Sequence, residues 1–228
     1  MHLHPVFLMF LKFIWVICPF SGFNFSFEMK NYGDLNIAIF ASGEGTNAEN
    51  IAHYFEDKKD KVTLMLTNNA EAGVLKRARR LQIPSFVFTA EQLNNGTILQ
   101  VLQNQAIDFI VLAGFLKLIP EHIIDAYEHR IVNIHPALLP KYGGKGMYGK
   151  RVHESVKQAG DAVTGITIHY VNKNYDEGDI ILQVKENVRP KDSIEDIEKK
   201  VHQLEYNYYP EVIEDLLDDI RVHQQKQA

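Results

Sequence analysis

The sequence predicts an α/β fold: a mostly parallel central sheet flanked by helices, with an antiparallel C-terminal extension. Three observations carry this. Short apolar runs at residues 35–40, 62–67 and 109–113 alternate with segments of helical spacing, the order that results when crossover helices join parallel strands. The run at 109–113 is apolar almost throughout, which suits a strand covered on both faces. Beyond residue 162, two alternating runs joined by a turn at 175–179 read as a hairpin-like pair, antiparallel to the rest. The sum is a Rossmann-like arrangement with an added antiparallel edge.

The elements follow in order. Residues 35–40 form a buried strand, then a small-residue turn leads to a helix over 47–55 with Ile51 and Phe55 on its inner face. Gly43 and Gly45 in that turn would let backbone N–H groups approach a phosphate, and equally serve a tight turn that needs positive φ. A second strand at 62–67 ends at Asn68-Asn69. The helix over 72–81 turns Val74, Leu75, Ala78 and Leu81 inward and Lys76, Arg77, Arg79 and Arg80 largely outward. In a chain of net charge -5 that basic cluster reads as a solvated face, and no nucleic-acid partner is expected. A third strand at 84–88 precedes one helix over 91–104, with Leu93, Ile98, Val101 and Leu102 as its apolar positions.

Gly114 ends the apolar strand, and a helix over 120–127 leads to the strand Ile131–His135, stopped by Pro136. The loop over 141–150 is glycine-rich, fitting either a lid that closes over a site or a plain surface loop. A helix over 152–159 and a strand over 163–171 follow, and residues 180–184 pair with the latter. Asp192 and Ser193 cap a long helix through Leu204, which Pro210 is expected to bend or restart. Residues 219–228 form a polar tail expected to fray.

With 228 residues, 46% of them hydrophobic, the chain can bury one sizeable core, and no Pro/Ser/Gly-rich linker divides residues 29–218. The single cysteine, Cys18, excludes an intramolecular disulfide and fits a reducing cytoplasm. No H-E-x-x-H or C-x-x-C spacing is present, so no metal is expected. Residues 1–28 are apolar but interrupted by Lys12 and Pro19, and lack a basic leader and a small-residue cleavage site. They read as an upstream extension outside the fold, with Met29 as the natural start. A membrane partner is expected only if that extension is real and retained.

Chemistry concentrates at the end of Ile131–His135. Asn133 and His135 share one face of the strand, about 6.6 Å apart. An amide can hold a developing oxyanion while an imidazole moves protons, a pairing suited to chemistry at a carbonyl. A strand end whose Asn and His make turn hydrogen bonds fits the same residues. His169, in the strand over 163–171, reads equally as a satisfied sheet histidine.

Four segments, in order from about residue 36 to 217, resemble the formyltransferase family that uses 10-formyltetrahydrofolate. They are Ser42-Gly43-Glu44-Gly45-Thr46-Asn47, Leu112 through Ile119, Asn133-Ile134-His135-Pro136 through Tyr142, and Tyr175-Asp176-Glu177-Gly178 before Ile180 through Gln183. The resemblance implies formyl transfer to the amine of 5'-phosphoribosylglycinamide. In that reading Asn133, His135 and Asp176 are catalytic, and Asp176 folds back beside His135. Gly45, Thr46 and Asn47 hold the phosphate, Glu205 faces the ribose, and Leu116, Lys117, Leu118, Ile119 and Asn133 contact the folate. His153 and His169 are further site-facing candidates. Lys117 stands where many family members carry Arg, which costs bidentate hydrogen bonding and stacking at that contact. Alternative members act on sugar nucleotides, and an inactive folate- or nucleotide-binding relative is a third possibility. Small-molecule partners and a monomer or homodimer are implied.

Overall fold

The structure, a computed structural model, describes residues 34–227, so the apolar extension over 1–28 lies outside the described residues. Seven strands make one sheet in the order β3-β2-β1-β4-β5-β6-β7. They are β1 (Asn36–Phe40), β2 (Lys61–Thr67), β3 (Ser85–Val87), β4 (Phe109–Leu112), β5 (Ile131–His135), β6 (Val163–Tyr170) and β7 (Ile180–Asn187). The first five pair in parallel, and β6 and β7 are antiparallel. The strand order reverses at β1 and β4, and ligands of open α/β sheets bind outside the carboxyl ends of strands at such a switch point.

Helices cover both faces, and the central strands serve each face in alternation. Ile37 and Ile39 of β1 and Phe109 and Val111 of β4 pack with α1 (Thr46–Tyr54), α2 (Gly73–Arg80) and α7 (Ile194–Gln227). Ala38, Phe40, Ile110 and Leu112, the intervening residues, pack against α3 (Ala90–Asn94), α4 (Thr97–Asn104) and α5 (Glu121–Ala126). That period of two within continuous apolar runs is why the sequence there shows no polar face. The remaining helix, α6 (Lys150–Ala159), contacts α7.

Three expectations change. The single helix over 91–104 is two: Gly96 takes φ 88, and the Asn95 side chain accepts from the Thr97 amide at 3.1 Å, capping a new start. The helix does not restart at Pro210, because α7 runs through it as one element of 34 residues. Proline lacks the N–H that the carbonyl four residues earlier would receive, and Asn50 Nδ2 donates to that Tyr206 carbonyl at 3.0 Å instead. Residues beyond 218 continue α7: Ile220 packs on the core, and Arg221, 6% exposed, pairs with Asp60 and Asp218.

Tyr209 on α7 is wholly buried, and its hydroxyl lies 3.1 Å from both the Leu112 and the Val132 carbonyl oxygens. One proton serves two acceptors, at the end of β4 and near the start of β5. Both strands deliver site residues from that point.

Candidate active site

A cleft of about 800 Å³ opens beyond the carboxyl ends of β1, β4 and β5. Its floor is the β1–α1 loop. Gly45 adopts φ 71 as the residue preceding α1, and a Cβ there would sit 2.6 Å from Val74 Cβ, so both the backbone conformation and the approach of α2 demand glycine. No side chain caps α1, so its first amides point toward the cleft with the helix's positive end. In contrast α3, away from the cleft, is closed by a capping box between Thr89 and Gln92. The basic cluster on α2 is only partly a solvated face. Arg77 and Arg80 both pair with Glu49 in the first turn of α1, and Arg77 Nε donates to the Glu44 carbonyl at 2.7 Å, fastening the loop.

The far wall carries the polar group from β5. His135 is 4% exposed; its Nε2–H donates to the Tyr142 carbonyl at 2.8 Å, and Nδ1 lies 3.4 Å from Asp176 Oδ2. Burial pulls its pKa below the ordinary imidazole value, against the opposing pull of Asp176 and the Tyr142 carbonyl. Asp176 comes from the turn before β7. It sits in the left-handed region at φ 57, and Gly178 follows where a Cβ would meet the Tyr170 carbonyl at 1.7 Å. That close approach folds the turn back over β5. Burial alone would raise Asp176. The His169 and His135 rings and the Gly144 amide, which donates to Oδ2 at 2.9 Å, outweigh it and hold the carboxyl below its usual range.

Asn133 completes the group. His169 Nδ1–H donates to the Tyr170 carbonyl at 2.8 Å, so its Nε2 accepts from Asn133 Nδ2 at 3.1 Å. The second Asn133 amide hydrogen is directed at Asp176 Oδ1 across 3.5 Å, a long contact that an incoming oxygen can replace. The loop after His135 is fixed by Thr167, whose hydroxyl donates to the Ala137 carbonyl at 2.7 Å and accepts from the Leu139 amide at 3.0 Å.

The other sequence-derived candidates divide between two cavities. Leu116, Lys117, His153 and Glu205 line the large cleft together with Gly45, Thr46 and Asn47. Leu118, Ile119 and His169 line a small cavity that shares Asn133, Lys117, Tyr175 and Asp176 with the first. Ile119 is 2% exposed and belongs mainly to the core. Glu205 Oε2 accepts from Asn47 Nδ2 at 2.9 Å and from His202 Nδ1 at 2.8 Å. His153 is buried, its Nδ1 has no partner, and burial lowers its pKa. The loop over 143–150 lines the cleft through Gly144 to Gly149. Glu198 and His202 also face the cleft, and the sequence reading missed both. Their spacing with Glu205, at i, i+4 and i+7, is one helix face and was the available signal. Among the described residues no group of three or more His, Cys, Asp or Glu is arranged to hold a metal ion.

Residues 35–213 match the Formyl transferase family. The chain belongs to that family. This formyltransferase is 40% identical over 185 residues to the chloroplastic phosphoribosylglycinamide formyltransferase of Arabidopsis thaliana, covering 78% of the chain and 63% of that protein. It is 39% identical to phosphoribosylglycinamide formyltransferase of Haemophilus influenzae, covering 78% of the chain and 84% of the relative. The crystal structure of phosphoribosylglycinamide formyltransferase from Bacillus halodurans superimposes with a TM-score of 0.73 at 35% identity, over 80% of this chain and 95% of that one. The chain therefore spans less than two thirds of the plant relative's length and most of the bacterial ones'.

Proposed function

We infer that this formyltransferase transfers formyl from 10-formyltetrahydrofolate to the amine of 5'-phosphoribosylglycinamide, the formyl-transfer step of purine biosynthesis. The observation that carries the reading is the meeting of Asn133, His135 and Asp176 where two cavities adjoin, since a two-substrate transfer needs its polar groups between two binding spaces. The small cavity offers Leu118 and Val171 as apolar walls with Asn172 and Asn174 at its rim, a lining that suits a flat heteroaromatic ring. The large cleft offers the uncapped start of α1 for a phosphate and Glu205 for a ribose hydroxyl.

Bound 10-formyltetrahydrofolate supplies an activated formyl carbon. Asn133 donates the amide hydrogen that otherwise makes the long contact to Asp176 to the oxygen that becomes negative as the amine adds. His135, whose pKa burial pulls below the ordinary imidazole value, takes the proton that the attacking amine must lose. Asp176 stabilises the imidazolium so formed, and the same proton then passes to the departing nitrogen. His169 holds the Asn133 amide in its donating orientation. The test is steady-state formyl transfer with glycinamide ribonucleotide against sugar-nucleotide amines. The ribonucleotide is expected to be the preferred acceptor, and turnover of a sugar amine alone would overturn the reading.

A further inference from the structure

His135 on β5 and Asp176 in the turn before β7 are both held by one short stretch of backbone. The Tyr142 carbonyl accepts from His135 Nε2–H at 2.8 Å, and two residues on the Gly144 amide donates to Asp176 Oδ2 at 2.9 Å. Gly143, between them, lies so close that a Cβ there would stand 2.5 Å from Leu139 Cδ2 and 3.4 Å from Asp176 Cβ. A carbonyl only accepts, so Nε2 keeps its hydrogen, and Nδ1, 3.4 Å from Asp176 Oδ2, is the ring nitrogen left to exchange a proton. Whatever fixes this turn therefore sets the direction of both side chains. We propose that Asp161, which lines neither cavity, is a positioning residue for formyl transfer, fixing the Tyr142–Gly144 turn through the Tyr142 hydroxyl. The proposal rests on the acid/base role given to His135 above.

The turn needs such an anchor. Tyr142 has φ 61, a left-handed conformation that costs energy in a residue with a side chain and persists only where its surroundings impose it. Its hydroxyl donates to Asp161 Oδ2 at 2.8 Å, and Lys141 Nζ donates to the same oxygen at 2.5 Å while standing 5.0 Å from the centre of the Tyr142 ring. Asp161 is itself rigidly placed. Helix α6 closes in a Schellman motif: Gly160, at φ 66, donates its amide to the Lys157 carbonyl at 3.2 Å, and the Asp161 amide donates to the Val156 carbonyl at 3.3 Å. Strand β6 begins two residues later, and its Thr167 holds the other limb of the same loop at Ala137 and Leu139. The two partners of Asp161 differ in weight. The Lys141 side chain is 59% exposed, so its ion pair adds little, whereas the Tyr142 hydroxyl meets a carboxylate only 23% exposed and ties the turn to the end of α6.

Kinetics and NMR on the full chain test this. Asp161→Ala and Tyr142→Phe are each expected to lower kcat about tenfold, as a small misplacement of reacting groups does, with KM for glycinamide ribonucleotide and for 10-formyltetrahydrofolate within about threefold. Asp161→Asn, which keeps an oxygen to accept from Tyr142, restores most of kcat. Lys141→Met, which removes only the exposed ion pair, changes kcat less than about twofold. The double variant Tyr142→Phe/Asp161→Ala is no slower than the slower single one, because both changes break one hydrogen bond. In proton NMR the His135 Nε2–H signal exchanges with solvent at least about tenfold faster in Tyr142→Phe than in wild type, a change that loss of stability remote from the ring does not produce. A kcat within about twofold of wild type in both single variants, losses that multiply in the double variant, or an unchanged His135 signal overturns the proposal. A wild-type rate for His135→Ala strikes the acid/base reading instead, and the exchange of the His135 signal in Tyr142→Phe still decides whether the Asp161 anchor holds the ring.

Discussion

His135 and His202 face carboxylates across one cleft, at 3.4 and 2.8 Å, and their proton affinities move in opposite directions. The His135 side chain is 4% exposed and its partner sits just outside good hydrogen-bond distance, so the cost of burying a charge prevails. The His202 side chain is 43% exposed with a direct bond to Glu205, so the partner prevails. The same pair of residue types shifts one ring toward its neutral form and the other toward its charged form. Solvent access and a few tenths of an ångström decide between them.

The comparison breaks first at the buried pair. His135→Ala, Asn133→Ala and Asp176→Ala are each expected to lower kcat at least about a hundredfold while the domain stays folded, as loss of an acid/base or oxyanion donor usually does. A near-wild-type rate for His135→Ala removes that ring from the mechanism. Glu205→Gln sharpens the contrast. In an NMR titration it moves the His202 pKa down toward 6.5, because the bond to Glu205 is its largest upward cause, and it changes His135 far less.

Stability against pH separates the two rings as well. The unfolded chain protonates its histidine near 6.5, whereas folded His135 resists the proton. Stability is therefore lost as pH falls below about 6.5 toward the folded value, and His135→Gln flattens that limb. His202 acts in reverse: its contribution is complete below about 6.5 and fades as pH rises through its raised pKa. Urea midpoints measured across pH are expected to show both limbs in wild type and one in each variant. The smallest effect lies outside the cleft. Tyr209→Phe leaves two buried carbonyls without their shared donor and is expected to cost about 1–3 kcal/mol in urea denaturation.

Much of this was legible in the chain because the signals are local. The continuous apolar runs of β1 and β4, the Gly45 turn and the alternation in β6 each follow from the backbone period or from one residue's conformational need. Asp176 beside His135 was readable only by family resemblance, since 41 positions separate them and the turn closes through the contact of Gly178 with the Tyr170 carbonyl. His202 was not singled out at all. Its partner three residues on gives a helical spacing common on solvated faces, and only the packing of α7 against α1 turns that face toward the cleft. The break at Asn95-Gly96 was written plainly but outweighed by apolar periodicity on either side. At Pro210 the local rule is met from a distance: the acceptor it strands is served by a side chain 156 positions away.

That arrangement has a consequence for registration. Along α7, the acceptor stranded by Pro210 marks one fixed place, and Asn50 is the reader that finds it. A slide or quarter-turn of one helix along the other would leave a bare oxygen at the mark and an amide with nothing to hold. Since Glu205 precedes the mark by a single residue, the ring that bonds to it is held in position by an atom the protein does not have.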